Sequence, residues 1–292
     1  MHFARSKADP CLYFKWDTKY GLLLIISWID DLAILGTRAG VEATKDELFK
    51  HFDCDDTGEM KEYVGNKVER LGSAVKLTQP VLLQSFTDEF ELQRDHKVKN
   101  PAIPGSVLHP TEGKLSSDDM FTYRSGTGKL LHLMKWSRPE IGNSVRELSR
   151  YMSGAGMSHM KAMYRVMNYC LNTSERGKVF KPRRTCKPEE MATFEFVVEG
   201  YSDSDYAKDP IKRRSVSGFC SFIEGCVLNT KSRMQPITSL SVTEAELVAA
   251  TECAQDLLYV KHVMESIGLK VRTPMNLNID NSGCIDLICN WS

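Results

Sequence analysis

Three acidic residues far apart in the chain, Asp203, Glu246 and Asp280, stand where an apolar pattern ends or a helical one begins. Carboxylates are hard oxygen donors, and a set of them at strand and helix ends suits Mg²⁺ better than His or Cys would. Two more acids, Asp30 and Asp31, are adjacent between apolar runs. Like charges that close repel unless a cation sits between them. Each acid also has a plainer reading. Asp203 and the Asp30–Asp31 pair suit turns, where Asp bonds its own backbone. Glu246 lies three residues after Thr243, which makes Thr243 an N-cap and Glu246 its capping-box partner. Residue type alone leaves both readings open.

The elements that must position these acids are legible in outline. Phe194, Phe196 and Val198 alternate with polar residues, which predicts a half-buried strand delivering Asp203 at or near its end. A polar, basic connection follows, then a second strand-like run over residues 219–223. A helical pattern opens at Thr243 and runs to Ile267, with Gly268 as its stop. Residues 275–279 read as a strand that delivers Asp280 and Asn281. Strand, hairpin, helix, strand is an order that lets three acids converge at one edge of a sheet. Near the start, residues 11–16 and 22–29 read as buried strands around a polar turn, with Asp30 and Asp31 in a tight acidic turn before residues 32–35.

Four segments carry a family resemblance: Tyr-Ser-Asp-Ser-Asp-Tyr (201–206), Ser-Val-Ser-Gly-Phe (215–219), Leu-Ser-Val-Thr-Glu-Ala-Glu (240–246) and Asp280-Asn281. In order and spacing they resemble the ribonuclease H domain of copia-type retrotransposon Pol polyproteins. Trp28-Ile29-Asp30-Asp31 resembles the catalytic turn of reverse transcriptases, with Trp28 where Tyr or Phe is more usual. The run Arg5-Ser-Lys-Ala-Asp-Pro-Cys-Leu-Tyr13 and the pieces Tyr123-Arg-Ser, Ser137-Arg-Pro139 and Leu148-Ser-Arg-Tyr-Met152 are similar to the same copia-type proteins.

The resemblance implies an α+β palm/thumb remnant (1–92), a helical connection and linker (93–192) and an α/β ribonuclease H-like domain with a mixed sheet and helices (193–292). It implies two Mg²⁺ (or Mn²⁺) ions held by Asp203, Glu246 and Asp280, with Asp203 shared, and Asp30 and Asp31 as ligands of the polymerase remnant. Asp205 and Glu244 take supporting or structural roles. In-line cleavage of an RNA strand needs an activated water and a stabilised leaving oxygen, each served by one of two cations ~4 Å apart. The implied substrate is an RNA–DNA hybrid, read by backbone shape and 2′-hydroxyl, with Lys208, Lys212, Arg213, Arg214 and Asn281 as nucleic-acid contacts. The remainder of a Pol polyprotein is the implied partner. A fourth ribonuclease H acid with a nearby His, and a first polymerase Asp, belong to the family pattern outside these 292 residues. Impaired nuclease activity and no DNA synthesis by this chain alone are therefore expected. A catalytically inactive nucleic-acid-binding remnant, or an unselected truncated product, is the alternative.

Composition sets the rest. A 292-residue chain that is 42% apolar can fill more than one core. Its formal charge is zero, so no global basic field advertises nucleic acid. Local basic runs do exist, at Lys181, Arg183, Arg184 and Lys187, then at Lys208 and 212–214; each reads as a solvated surface or a phosphate contact. Nine scattered cysteines show no zinc spacing and read as reduced, mostly buried thiols of an intracellular protein, in the cytoplasm or nucleus. No opening segment reads as a secretory signal and residues 22–29 are too short to span a bilayer, so no membrane is expected. A helix over 41–52 is predicted to turn Leu48, Phe49 and Phe52 inward. Strand-like pieces at 62–69 and 74–77 precede a helix after Thr78-Gln79-Pro80 that carries Leu82, Leu83, Phe86 and Phe90. Residues 93–118 lose periodicity, helices resume at 120–136, 141–152 and 159–171, and the stripe Met160, Met163, Tyr164 and Met167 reads as core.

Overall fold

The computed structural model describes residues 2–290. It opens with a four-stranded antiparallel sheet of β1 (Ala4–Arg5), β2 (Leu12–Asp17), β3 (Gly21–Trp28) and β4 (Asp31–Leu35), paired in that order. Leu23 and Ile25 are buried on one face of β3, and Leu22 is buried on the other. Helix α1 (Arg38–Phe49) lies against β3 and β4. Its buried line is Gly40, Thr44 and Leu48, while Phe49 and Phe52 are exposed, Phe52 by 60%. The expectation that both Phe face inward is thus corrected. The helix starts three residues before the apolar pattern does, and a Gly and a Thr fill its inner positions.

A second sheet joins β5 (Glu62–Tyr63), β6 (Asn66–Leu71), β7 (Ala74–Thr78) and, from much further along, β8 (Lys178–Phe180). Residues 178–180, expected as linker, pair antiparallel with Val75 to Leu77 of β7. Between these strands lies a helical body: α2 (Pro80–Phe90), α3 (Ser117–Trp136), a 3-10 turn at Pro139–Ile141, α4 (Gly142–Ser149) and α5 (Met157–Asn172). Its core holds Phe86, Tyr123, Leu130, Leu133, Val145, Met163 and Met167, so the methionine stripe packs as expected. Arg138 is buried in this body, where it donates to the Glu140 carboxylate and to the Thr173 carbonyl and hydroxyl near the end of α5. That supplies donors to a helix end whose carbonyls lack intrahelical partners.

The last third holds two sheets. β9 (Glu195–Phe196) pairs in parallel with β13 (Lys270–Val271). The larger sheet has the order β12-β11-β10-β14, with β10 (Val198–Asp205), β11 (Val216–Ile223), β12 (Cys226–Met234) and β14 (Asn276–Ile279). β10 to β12 are antiparallel neighbours, and β14 adds to β10 in parallel. The predicted strand through Phe194, Phe196 and Val198 is thus split: Phe196 lies in β9, Val198 opens β10, and Phe194 precedes both. Helix α6 (Val242–Ser266) covers β10 and β11, and Val198, Phe219, Cys253, Leu257 and Met264 form the core between them. α7 (Ser282–Cys289) follows β14. Gly268, at φ +82°, ends α6 as predicted; it lies under the Trp16 ring, whose Nε1 donates to the Ile267 carbonyl at 2.8 Å. Among the described residues no helix is long and apolar enough to cross a membrane. The cysteines are all free; four are buried and Cys11, Cys54 and Cys289 are exposed.

Candidate metal centre

Asp203 and Asp280 become neighbours through strand pairing. The parallel register of β10 and β14 matches Ser202 with Ile279, so the residue that follows each of these in the chain is one of the two acids. Glu246 comes from the first turns of α6. That helix approaches closely because its inner residues are small: Ala245, Ala249 and Ala250 are all buried. Gly200 on β10 allows the same approach, since a Cβ there would stand 2.5 Å from Cys253 Sγ. The outcome is a cluster in which one carboxylate oxygen from each of Asp203, Glu246 and Asp280 lies within 4.8 Å of the others.

The three acids differ in setting. Asp203 and Asp280 are exposed, whereas Glu246 is only 3% exposed. Its Oε1 accepts from the Ser204 backbone N–H at 3.0 Å and from the Ser204 hydroxyl at 2.7 Å. Its Oε2 is buried and has no hydrogen-bond partner. Burial pushes the Glu246 pKa up; the Ser204 bonds oppose the shift, and the charges of Asp203 and Asp280 add to it. A buried carboxylate oxygen without a donor, beside two more carboxylates, is an arrangement that a cation relieves. All donors are oxygen, which fits a hard divalent ion such as Mg²⁺.

The cap of α6 lies two residues earlier than expected. Ser241 is the N-cap of α6, its hydroxyl accepts from Glu244 N–H at 3.1 Å, and Glu244 reaches back to Leu240 N–H at 2.7 Å. Thr243 therefore sits inside the helix, and Glu246 is freed from the structural role offered for it. Glu244 has the structural role assigned to it. Gln235, which drew no attention in the sequence, is fully buried beneath the helix start. Its Nε2 donates to Ser217 Oγ and to the Ala245 carbonyl, and its Oε1 accepts from Ser239. Neither Ser204 nor Gln235 belongs to a periodic pattern. A Ser between two acids and a Gln shortly before an N-cap were the only signals in the sequence.

The other predicted contacts divide. Lys208, on the loop after β10, pairs with Asp205, the last residue of that strand, at 3.0 Å. That loop is built around buried Asp209, which accepts from the backbone N–H of Ile211 and Lys212 and from Arg150 Nη2 at 2.8 Å. Lys212 and Arg213 are exposed on it and Arg214 is half-buried. Asn281 is the N-cap of α7, its side-chain oxygen accepting from Cys284 N–H, so that oxygen is taken up structurally. The earlier basic run is also partly occupied: Arg183 pairs with Glu199, and Arg184 forks onto Glu224.

Asp30 and Asp31 stand apart from this cluster. Trp28 pairs with Asp31, so Ile29 and Asp30 form a two-residue hairpin tip. Ile29 holds φ at +52° and is 85% exposed. A β-branched residue rarely adopts that backbone, so the tip carries real strain. Both acids are exposed, and among the described residues no third ligating side chain joins them.

Comparison with known proteins gives the class first. Over nearly its whole length the chain is a homologue of retrovirus-related Pol polyproteins of transposons, which supports a copia-type Pol fragment. It is 26% identical over 296 residues to the Pol polyprotein from transposon TNT 1-94 of Nicotiana tabacum, covering 99% of this chain and 21% of that protein. It is 23% identical over 289 residues to the Pol polyprotein from transposon RE1 of Arabidopsis thaliana, covering 99% of this chain and 19% of that protein. A shorter stretch of 138 residues, 47% of this chain, is 32% identical to secreted RxLR effector protein 161 of Plasmopara viticola and covers 90% of it. The chain thus spans about a fifth of the length of the Pol polyproteins it matches. No family profile matches the chain. No solved structure matches it significantly.

Proposed function

We propose that the chain is the part of a copia-type Pol protein whose C-terminal α/β unit, ribonuclease H-like in fold, cleaves the RNA strand of RNA–DNA hybrids with divalent metal ions. The observation that carries this reading is the meeting of Asp203, Glu246 and Asp280, with Glu246 Oε2 buried and unpartnered. Asp203 near the end of β10, Asp280 just past β14, and Glu246, across from them on α6, would hold Mg²⁺. When bound, such ions activate a water for attack on phosphorus and stabilise the departing oxygen. The chain's own contribution is placement: two exposed carboxylates face solvent, where a polynucleotide backbone can approach, and one buried carboxylate fixes the depth of the site. Lys212 and Arg213, exposed on the loop that follows β10, are free to meet phosphates there. The Asp30–Asp31 tip stays outside this reading, and polymerisation is not assigned to it.

The test is cleavage of an end-labelled RNA–DNA hybrid in Mg²⁺ or Mn²⁺, comparing the chain with Asp203→Asn. Cleavage is expected from the former and a loss of at least about a hundredfold from the latter, the scale on which removing one key electrostatic group acts. Equal rates, or salt-sensitive hybrid binding without cleavage, would replace the nuclease reading with that of a binding remnant.

A further inference from the structure

We propose that Ser204 is a positioning residue of the acidic site: it engages Glu246 Oε1 and so leaves Oε2 as the single oxygen that Glu246 offers to a cation. This rests on the metal-site reading above and adds to it a residue whose side chain touches no cation itself. The geometry is direct. Both donors that Ser204 can offer, its backbone N–H at 3.0 Å and its hydroxyl at 2.7 Å, converge on one oxygen of one carboxylate. The other oxygen has no donor although it is buried.

A carboxylate with both oxygens free can swivel and bind a cation through one oxygen or two. Two hydrogen bonds to Oε1 remove that freedom, because rotating the group would break both at once. Outer hydrogen bonds of this kind orient metal ligands and tune their affinity. Ser204 is well placed for the task, since it sits on β10 next to Asp203, on the strand face that α6 covers. One short segment therefore supplies a ligand and the group that aims another. Ser202 offers a control within the same strand. It is buried on the same face two residues earlier, and its hydroxyl has no hydrogen-bond partner.

The experiment titrates Mn²⁺ into the metal-free chain by calorimetry, with melting in EDTA to verify folding. Ser204→Ala keeps the backbone bond and loses the hydroxyl, so Mn²⁺ affinity should fall about tenfold, the weight of one hydrogen bond to a charged group. Ser204→Thr, which restores the hydroxyl, should bind nearly as the natural chain does, and Ser202→Ala should be unchanged. Should Ser204→Ala fail to fold, Ser204→Cys, of similar size with a weak donor, is expected to show the same loss. Wild-type affinity in Ser204→Ala, or an equal loss in Ser202→Ala, overturns the role of Ser204. If Asp203→Asn loses Mn²⁺ while Ser204→Ala does not, only that role falls. If Asp203→Asn binds as tightly as the natural chain, or the natural chain binds no Mn²⁺, the metal site falls and Ser204 with it.

Discussion

Glu246 is a residue that a chain selected for stability alone would not keep. Its carboxylate is buried, and only one of its oxygens has donors, both from Ser204. Two further negative charges stand beside it, and burial together with those charges raises its pKa. For an acid, a raised folded-state pKa means that ionisation costs stability, and the cost is relieved as pH falls toward that pKa. Glu246→Gln keeps the shape, keeps an acceptor for Ser204 and removes the charge. In EDTA at neutral pH it should melt a few degrees higher than the natural chain, and the difference should shrink as the pH is lowered through the range just above the usual glutamate value. The same substitution should abolish tight Mn²⁺ binding. A gain in stability with a loss of ligand is the trade expected of a functional site; a Glu246→Gln chain that melts lower would mean that the charge is already compensated by the protein.

Between residues and the molecule stands the turn that joins β11 to β12. Glu224 occupies it at φ +47° and is nearly buried. Its carboxylate accepts from Arg184 and from Val197 N–H, and its backbone exchanges bonds with Arg183 and Val197. Burial pushes its pKa up, but Arg184 and the Val197 N–H outweigh burial and hold it below the usual glutamate value. A depressed folded-state pKa stabilises above the unfolded value, about 4.3, and the benefit fades as pH falls through the folded one. Glu224→Ala should therefore destabilise by about 2 kcal/mol at pH 7, the cost of stranding a buried N–H and losing a charged acceptor. In urea melts the gap from the natural chain should narrow, without closing, as the pH falls through the depressed Glu224 pKa, because a protonated carboxyl still accepts from Val197 N–H. None of this was legible in advance, because a basic run in a linker carries no record of the turn it returns to. The acids fared better, since strand and helix ends follow from local pattern and Asp203, Glu246 and Asp280 fall near them. The helix cap failed for a definite reason. Ser241-x-x-Glu244 and Thr243-x-x-Glu246 are both Ser/Thr-x-x-Glu, and local chemistry cannot choose between them. Docking of α6 on β10 chooses, by burying Glu246 against Ser204.

At the scale of the molecule, the site is tied to sheets and helices far from it in sequence. Trp16 and Ser6 hydrogen-bond to the C-terminal end of α6, through Ile267 and Ser266. Lys178, on the strand that closes the second sheet, donates to the Leu228 carbonyl of β12. Arg146 of α4 meets Ser232 on that same strand. The most consequential tie is the ion pair between Arg150, just past α4, and Asp209 at 2.8 Å. Asp209 shapes the loop that carries Lys212 and Arg213, so the helical body holds one side of the proposed nucleic-acid surface. Removing the Arg leaves a buried carboxylate with only backbone donors. Complete burial would make such a loss worth roughly 3–5 kcal/mol. Two backbone N–H groups remain here and Arg150 is partly exposed, so Arg150→Met should cost about 2 kcal/mol. Asp209→Asn should cost a similar amount, and the double variant little more than either alone, a coupling of about 1 kcal/mol or more in urea unfolding. Strict additivity would show that the helical body and the loop are held by other contacts. Where coupling is found, Arg150→Met should also weaken hybrid binding at low salt without touching Mn²⁺ affinity, because it loosens the loop and leaves Asp203, Glu246 and Asp280 in place.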